Sequence, residues 1–160
     1  MKTFLGLLLT AIMMPVPAQV LQKQNNLSVP LFDLVLADGS RFRATDMIPG
    51  QPAMFVYFDP DCEHCEDFIK TLLKNKEEFK NIQVILVTYV PVSTVKTFAV
   101  KTGLDKAPQI KTGTEGEKFI VRYFYNVMQF PFVALHDKNG KLFATFESEV
   151  PPVTDIARMF

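Results

Sequence analysis

AMFVYFDPDCEHCEDFIKTLL, residues 53–73, decides how the chain folds. It opens with six apolar residues, Ala53 to Phe58, whose aromatic and β-branched content predicts a strand buried on both faces. Asp59-Pro60 ends that run. Beyond it Phe68, Ile69, Leu72 and Leu73 recur at helical spacing, which places Cys62 at or just before a helix N-terminus. Cys62 and Cys65 are the only two cysteines in 160 residues. A staple, part of a metal site or a redox pair would each use them. Closing a two-residue gap removes little chain entropy, which disfavours the staple. A zinc site of Cys62, His64, Cys65 and His136 lacks the usual second cysteine pair.

Outward from this segment, Leu31 to Ala37 and a return through Phe42 read as a hairpin around Asp38-Gly39. Val84 to Val90 predicts a second buried strand, and Ser93 to Leu104 a helix stopped at Gly103. Residues 106–118, rich in Gly, Thr and charge, read as a surface loop. Phe119 to Tyr125 reads as a short helix. Two strands flank Asn139-Gly140, and a last helix follows Pro152. Strands alternating with helices predict an α/β domain with parallel central strands. Such sheets carry their functional groups at the carboxyl ends of the strands, where Cys62 stands.

Residues 1–18 combine Lys2, an apolar stretch from Phe4 to Met14 and a Pro15 to Ala18 exit. They read as a signal peptide cleaved after Ala18, with a retained anchor as the alternative. Residues 19–29 read as a linker and 30–160 as one domain, placed in the periplasm or secreted, where disulfides persist. With 17 basic and 17 acidic side chains there is no basic stripe for nucleic acid. Serine-nucleophile, phosphate-loop and H-E-x-x-H motifs are absent from the sequence.

The motifs resemble the thioredoxin fold, and within it the TlpA-like thiol–disulfide oxidoreductases of the redoxin group. MFVYFDPDCEHC resembles the strand leading into C-x-x-C. DLVLADGSRFRATDM resembles the opening hairpin, YNVMQFP the segment delivering the family's cis-proline, and VALHDKNGKLFATF the closing hairpin. The resemblance implies a central mixed sheet flanked by helices, with an insertion before a cis Pro131. It implies Cys62 as nucleophile and Cys65 as resolving thiol, with no cofactor beyond their disulfide. His64 would tune the nucleophile, while Phe130, Asp61 and Glu63 would meet a substrate. The implied partners are a disulfide-containing protein and a membrane or extracytoplasmic thiol donor, the chain acting as a monomer.

Two departures mark this chain. Asp61 precedes the first cysteine where thioredoxins carry tryptophan, and Val56 occupies the place of their buried carboxylate, so another base or water must take the Cys65 proton. Asp59, Asp61, Glu63, Glu66 and Asp67 surround the cysteines and oppose a thiolate. Glu66 and Asp67 also suit a first helical turn. The acidic setting favours a reductase over a strong oxidase. The alternative is a Sco-like copper-binding chaperone using Cys62, Cys65 and a histidine. His136 reads as structural or solvent-facing.

Overall fold

The computed structural model describes residues 28–160. The signal segment and linker residues 19–27 lie outside these described residues. A seven-stranded mixed sheet has the order β2-β1-β5-β4-β3-β6-β7. Its strands are β1 Asp33–Leu36, β2 Arg41–Arg43, β3 Ala53–Tyr57, β4 Gln83–Thr88, β5 Ile110–Thr114, β6 Phe132–His136 and β7 Leu142–Glu147. The central three, β3, β4 and β5, are parallel, and the outer strands join antiparallel. The expected mixed α/β architecture and both hairpins are present.

β3 is buried along its whole length because each face of the sheet is covered. Met54, Val56 and Phe58 enter one core with α1 Glu63–Lys74, α2 Val92–Thr102 and α4 Val153–Ala157, through Ile69, Leu72, Phe98, Ala99 and Ile156. Ala53, Phe55 and Tyr57 enter the other, with Phe32, Leu34 and Val121 of α3 Ile120–Tyr125. Side chains alternate across a strand, so a two-sided core needs an unbroken apolar run. Each large side chain withdrawn from water contributes about 1.5–3 kcal/mol before entropic costs. The two cores therefore clamp β3, and its carboxyl end becomes a fixed platform.

The segment read as a surface loop contains β5, which is a correction. Thr112, Gly113 and Thr114 are buried between β1 and β4. The strand forms because backbone partners wait on both sides; its own side chains have little apolar pattern. Gly113 is required by packing: a Cβ there would stand 2.8 Å from the Val35 carbonyl oxygen and 3.0 Å from Leu36 Cδ2.

His136 is fully buried, so its solvent-facing alternative is also corrected. Its Nδ1 pairs with the Gly140 carbonyl at 2.9 Å and its Nε2 with the Tyr125 hydroxyl at 2.6 Å. Burial lowers its pKa from 6.5, against weaker opposition from the Gly140 carbonyl and Asp137. The unfolded chain thus binds a proton that the native chain refuses, and stability present above about pH 6.5 is lost as acid is added.

Two outcomes follow from these contacts. Gly113→Ala should lower stability by about 1–3 kcal/mol in urea denaturation, as overpacking does. His136→Gln should flatten the fall in denaturation midpoint between about pH 7 and pH 5, because the titrating ring is gone. An unchanged slope would contradict the assignment.

Candidate active site

Cys62 is the N-cap of α1. Its main-chain N–H donates to the Asp59 carbonyl at 3.1 Å, which closes the turn out of β3. Its Sγ accepts the Cys65 N–H at 3.3 Å. A sulfur in this position meets unpaired helix N–H groups and the positive end of the helix dipole, both of which favour a thiolate. Cys62 is half-buried with its sulfur free, whereas Cys65, also free, is fully buried one turn later. Burial pushes the Cys65 thiol well above its usual pKa, and its hydrogen bond to the Cys62 sulfur adds to the rise. The Asp59 main chain opposes this, while the charges of Cys62 and Asp59 reinforce it. Cys62 is partly exposed, whereas Cys65 is buried and held protonated.

The five acids are not equivalent. Glu66 is paired with Lys70 at 2.8 Å and Lys101 at 2.6 Å. Its carboxyl is held below the usual range, first by the Lys101 bond and then by the Lys70 bond. The Asp59 carboxylate accepts the Tyr89 O–H at 2.6 Å and the Asp61 N–H at 2.9 Å. Asp61, Glu63 and Asp67 are exposed. Glu63 and Glu66 fall in the first turn of α1, while Asp67 lies beyond it. His64 is exposed on the same turn as Cys62.

The Phe130–Pro131 bond, just before the β6 residue that pairs with Tyr57 at the end of β3, is cis. Phe130 is half-buried and packs against both cores. Its ring stacks on Tyr57 at 5.9 Å and on Tyr89 at 6.3 Å. Arg122 lies 5.6 to 5.8 Å from the rings of Phe130, Tyr89 and Phe119, within cation–π range. Glu147 of β7 accepts the N–H groups of Met128 and Gln129 at 2.6 and 2.5 Å, which ties down the segment entering Phe130. Phe130 and Pro131 thus lie at the same end of the sheet as the turn from β3 to α1 that carries Asp61, Cys62, Glu63, His64 and Cys65.

His136 stands apart. It pairs with Ala53 at the start of β3, whereas the cysteines lie beyond its end. Both of its ring nitrogens have partners, so a copper set using a histidine near the cysteines is left with His64.

Sequence reasoning missed Glu115, Tyr57, Tyr89, Arg122 and Glu147. Glu115 is buried, and its carboxylate accepts the Tyr57 O–H at 2.7 Å, the Val121 N–H at 2.6 Å and the Arg122 N–H at 3.2 Å. It therefore joins β3 to α3. A lone glutamate in a polar segment gives no signal in the sequence, and Tyr57 reads simply as core.

The profile of the Thioredoxin-like domain family matches residues 47–159. The chain belongs to the thioredoxin-like domain family. No curated protein matches its sequence. Among solved structures it is similar to a secreted Mycobacterium tuberculosis disulfide oxidoreductase homologous to E. coli DsbE, at TM-score 0.66 and 15% identity over 80% of this chain and 92% of that one. A thioredoxin-family thiol:disulfide interchange protein from Chlorobium tepidum superposes at TM-score 0.69 with 15% identity, covering 84% and 93%. Peroxidoxin BcpB from Mycobacterium tuberculosis gives TM-score 0.69 and 15% identity, covering 83% and 92%. At these identities the structures share the fold, which agrees with the resemblance carried by the motifs.

The unequal burial of the two sulfurs predicts unequal reactivity in this thioredoxin-like domain. Iodoacetamide at neutral pH should modify the reduced protein once, at Cys62, with Cys65 reacting only after unfolding. Peptide mapping by mass spectrometry reads the result, and equal labelling of both cysteines would contradict the geometry.

Proposed function

We propose that this protein is a thiol–disulfide oxidoreductase that reduces disulfides of other proteins in an extracytoplasmic compartment. The observation that carries the proposal is the partly exposed Cys62 at a helix N-cap, its Sγ accepting the main-chain N–H of the buried Cys65 at 3.3 Å. The Cys62 thiolate attacks one sulfur of the substrate disulfide, forming a mixed disulfide and releasing the other sulfur as a thiolate. Cys65 gives up its proton and attacks Cys62 Sγ. The Cys62–Cys65 disulfide forms, the second substrate sulfur leaves, and two electrons have passed to the substrate. A thiol donor, in the membrane or in the same compartment, then restores the dithiol.

The reductase direction is supported by the raised Cys65 pKa and by exposed Asp61, Glu63 and Asp67 near the nucleophile. Each disfavours thiolate in the reduced form and so favours the disulfide, making the dithiol the better electron donor. Phe130, Asp61 and Glu63 form part of the rim that a substrate chain meets, and His64 lies on that rim. The compartment rests on the signal-like residues 1–18, the C-x-x-C pair and the secreted relative among similar structures.

Cys65→Ser keeps the nucleophile and removes resolution, so it should accumulate mixed disulfides with client proteins that reducing agent releases. Cys62→Ser should trap none and should lose insulin reduction entirely. Absence of trapped clients in the Cys65→Ser variant, together with no insulin reduction by the unaltered protein, would end this reading.

A further inference from the structure

The short helix α3 carries a cation that the other described residues leave without a counter-ion. The Arg122 guanidinium lies 5.7 Å from the Tyr89 ring, 5.8 Å from Phe119 and 5.6 Å from Phe130. Aromatic faces attract the charge but supply no oxygen to its N–H donors. None of the ion pairs among the described residues includes Arg122. The buried Glu115 carboxylate meets only its main-chain N–H, at 3.2 Å, together with the Val121 N–H and the Tyr57 O–H. Glu115 therefore pins the backbone of Arg122 and leaves the guanidinium to solvent.

Arg122 also lines a cleft of about 260 Å³ with Phe119, Tyr123, Asn126, Val127 and Met128. Tyr123 and Met128 are 75% and 70% exposed there, so apolar surface stands open beside the cation. Two contacts join this cleft to the cysteine turn. Phe130, whose ring Arg122 approaches, leads into Pro131 at the end of the sheet that bears the cysteines. Tyr89, the second ring, donates its O–H to Asp59, and the Asp59 carbonyl accepts the Cys62 N–H. On the cysteine turn itself Asp61 and Glu63 are exposed on either side of Cys62. The rim is thus negative at the cysteines and positive at α3, and a rim with two electrical ends selects and orients a charged partner.

We propose that Arg122 and the cleft beside it receive an acidic side chain of the client protein, a few residues from the client cysteine that Cys62 attacks; the inference rests on the reading that the protein exchanges disulfides with clients. The client carboxylate accepts from the guanidinium, and its stem lies against Tyr123 and Met128. A lysine in the same place would meet a like charge. An extended chain advances about 3.3 Å per residue, so the acid stands close to the cysteine in the client sequence and on one side of it. Basic residues suit the other side, toward Asp61 and Glu63.

The test uses short peptides, each with one cysteine activated as its thiopyridyl mixed disulfide. The Cys62 thiolate of the reduced protein attacks the peptide sulfur and becomes disulfide-linked to it. Thiopyridone leaves with the electron pair of the broken S–S bond, takes a proton from water, and reports the rate. A single Glu, Gln or Lys is moved through the positions on each side of the cysteine. The quantity read is the Glu-to-Gln rate ratio within each protein, in which any general change in Cys62 reactivity cancels. In the unaltered protein the ratio should reach about fivefold on one side of the cysteine and shrink towards one as salt rises from about 0.01 M to about 1 M. It should be lost in Arg122→Met, or in Arg122→Gln should the first variant not fold, and be kept in part by Arg122→Lys. A ratio below about twofold at every position in the unaltered protein, or one that survives loss of the Arg122 charge, overturns the assignment, while thiopyridone release leaves the oxidoreductase reading standing. No release from any peptide removes that reading and the assignment with it.

Discussion

The Cys65 N–H donating to Cys62 Sγ is the contact on which the rest of the structure converges. It makes the nucleophile the cap of its own helix. A cap of this kind works only if the chain arrives from a fixed direction, and the two-sided burial of β3 supplies that direction. The Asp59 carbonyl then fixes the Cys62 N–H, and one helical turn carries Cys65 beneath it. A small shift at the end of β3 would separate the sulfur from the helix N–H groups that favour its charge. The core, in this sense, is part of the chemistry.

Close to that contact the protein builds a wall from aromatic rings and the buried Glu115 carboxylate. Tyr57, Phe130 and Tyr89 stack in sequence, and Arg122 covers two of them. Glu115 closes the back of the wall with three accepted hydrogen bonds. A carboxylate buried without partners would be expensive; one with three donors rigidifies what it touches. Glu147 does similar work on the segment entering Phe130. Tyr89 connects the wall to the Asp59 carboxylate, and so to the turn that leads into the cysteines.

Much of this was legible in the sequence. The continuous run from Ala53 to Phe58 marks a strand with two covered faces, and Asp-Gly and Asn-Gly mark the two hairpins. The helical spacing of Phe68, Ile69, Leu72 and Leu73 after that run marks the helix and puts Cys62 at its start. Other parts were not legible, for identifiable reasons. β5 is a strand because its neighbours demand one, while its own residues, Lys111 to Thr114, resemble a loop. His136 carries no mark of burial, since Tyr125 and the Gly140 carbonyl meet it only after β6 and α3 have packed. Asp59 was one of five acids around the cysteines, with nothing in the sequence to assign it a partner. Its partner Tyr89 lies thirty residues away, a pairing that sequence spacing cannot display.

The central claim is that the two sulfurs form one two-electron couple in which the disulfide is comparatively favoured. Equilibration of the protein in buffers of graded reduced and oxidised glutathione, with thiols trapped by acid and counted by mass, tests it directly. The account predicts a single transition between dithiol and Cys62–Cys65 disulfide, at a potential nearer the about −270 mV of thioredoxin than the about −120 mV of a strong periplasmic oxidase. A stable glutathione adduct on Cys62 with Cys65 still free, or a transition at the oxidising end of that range, would contradict it.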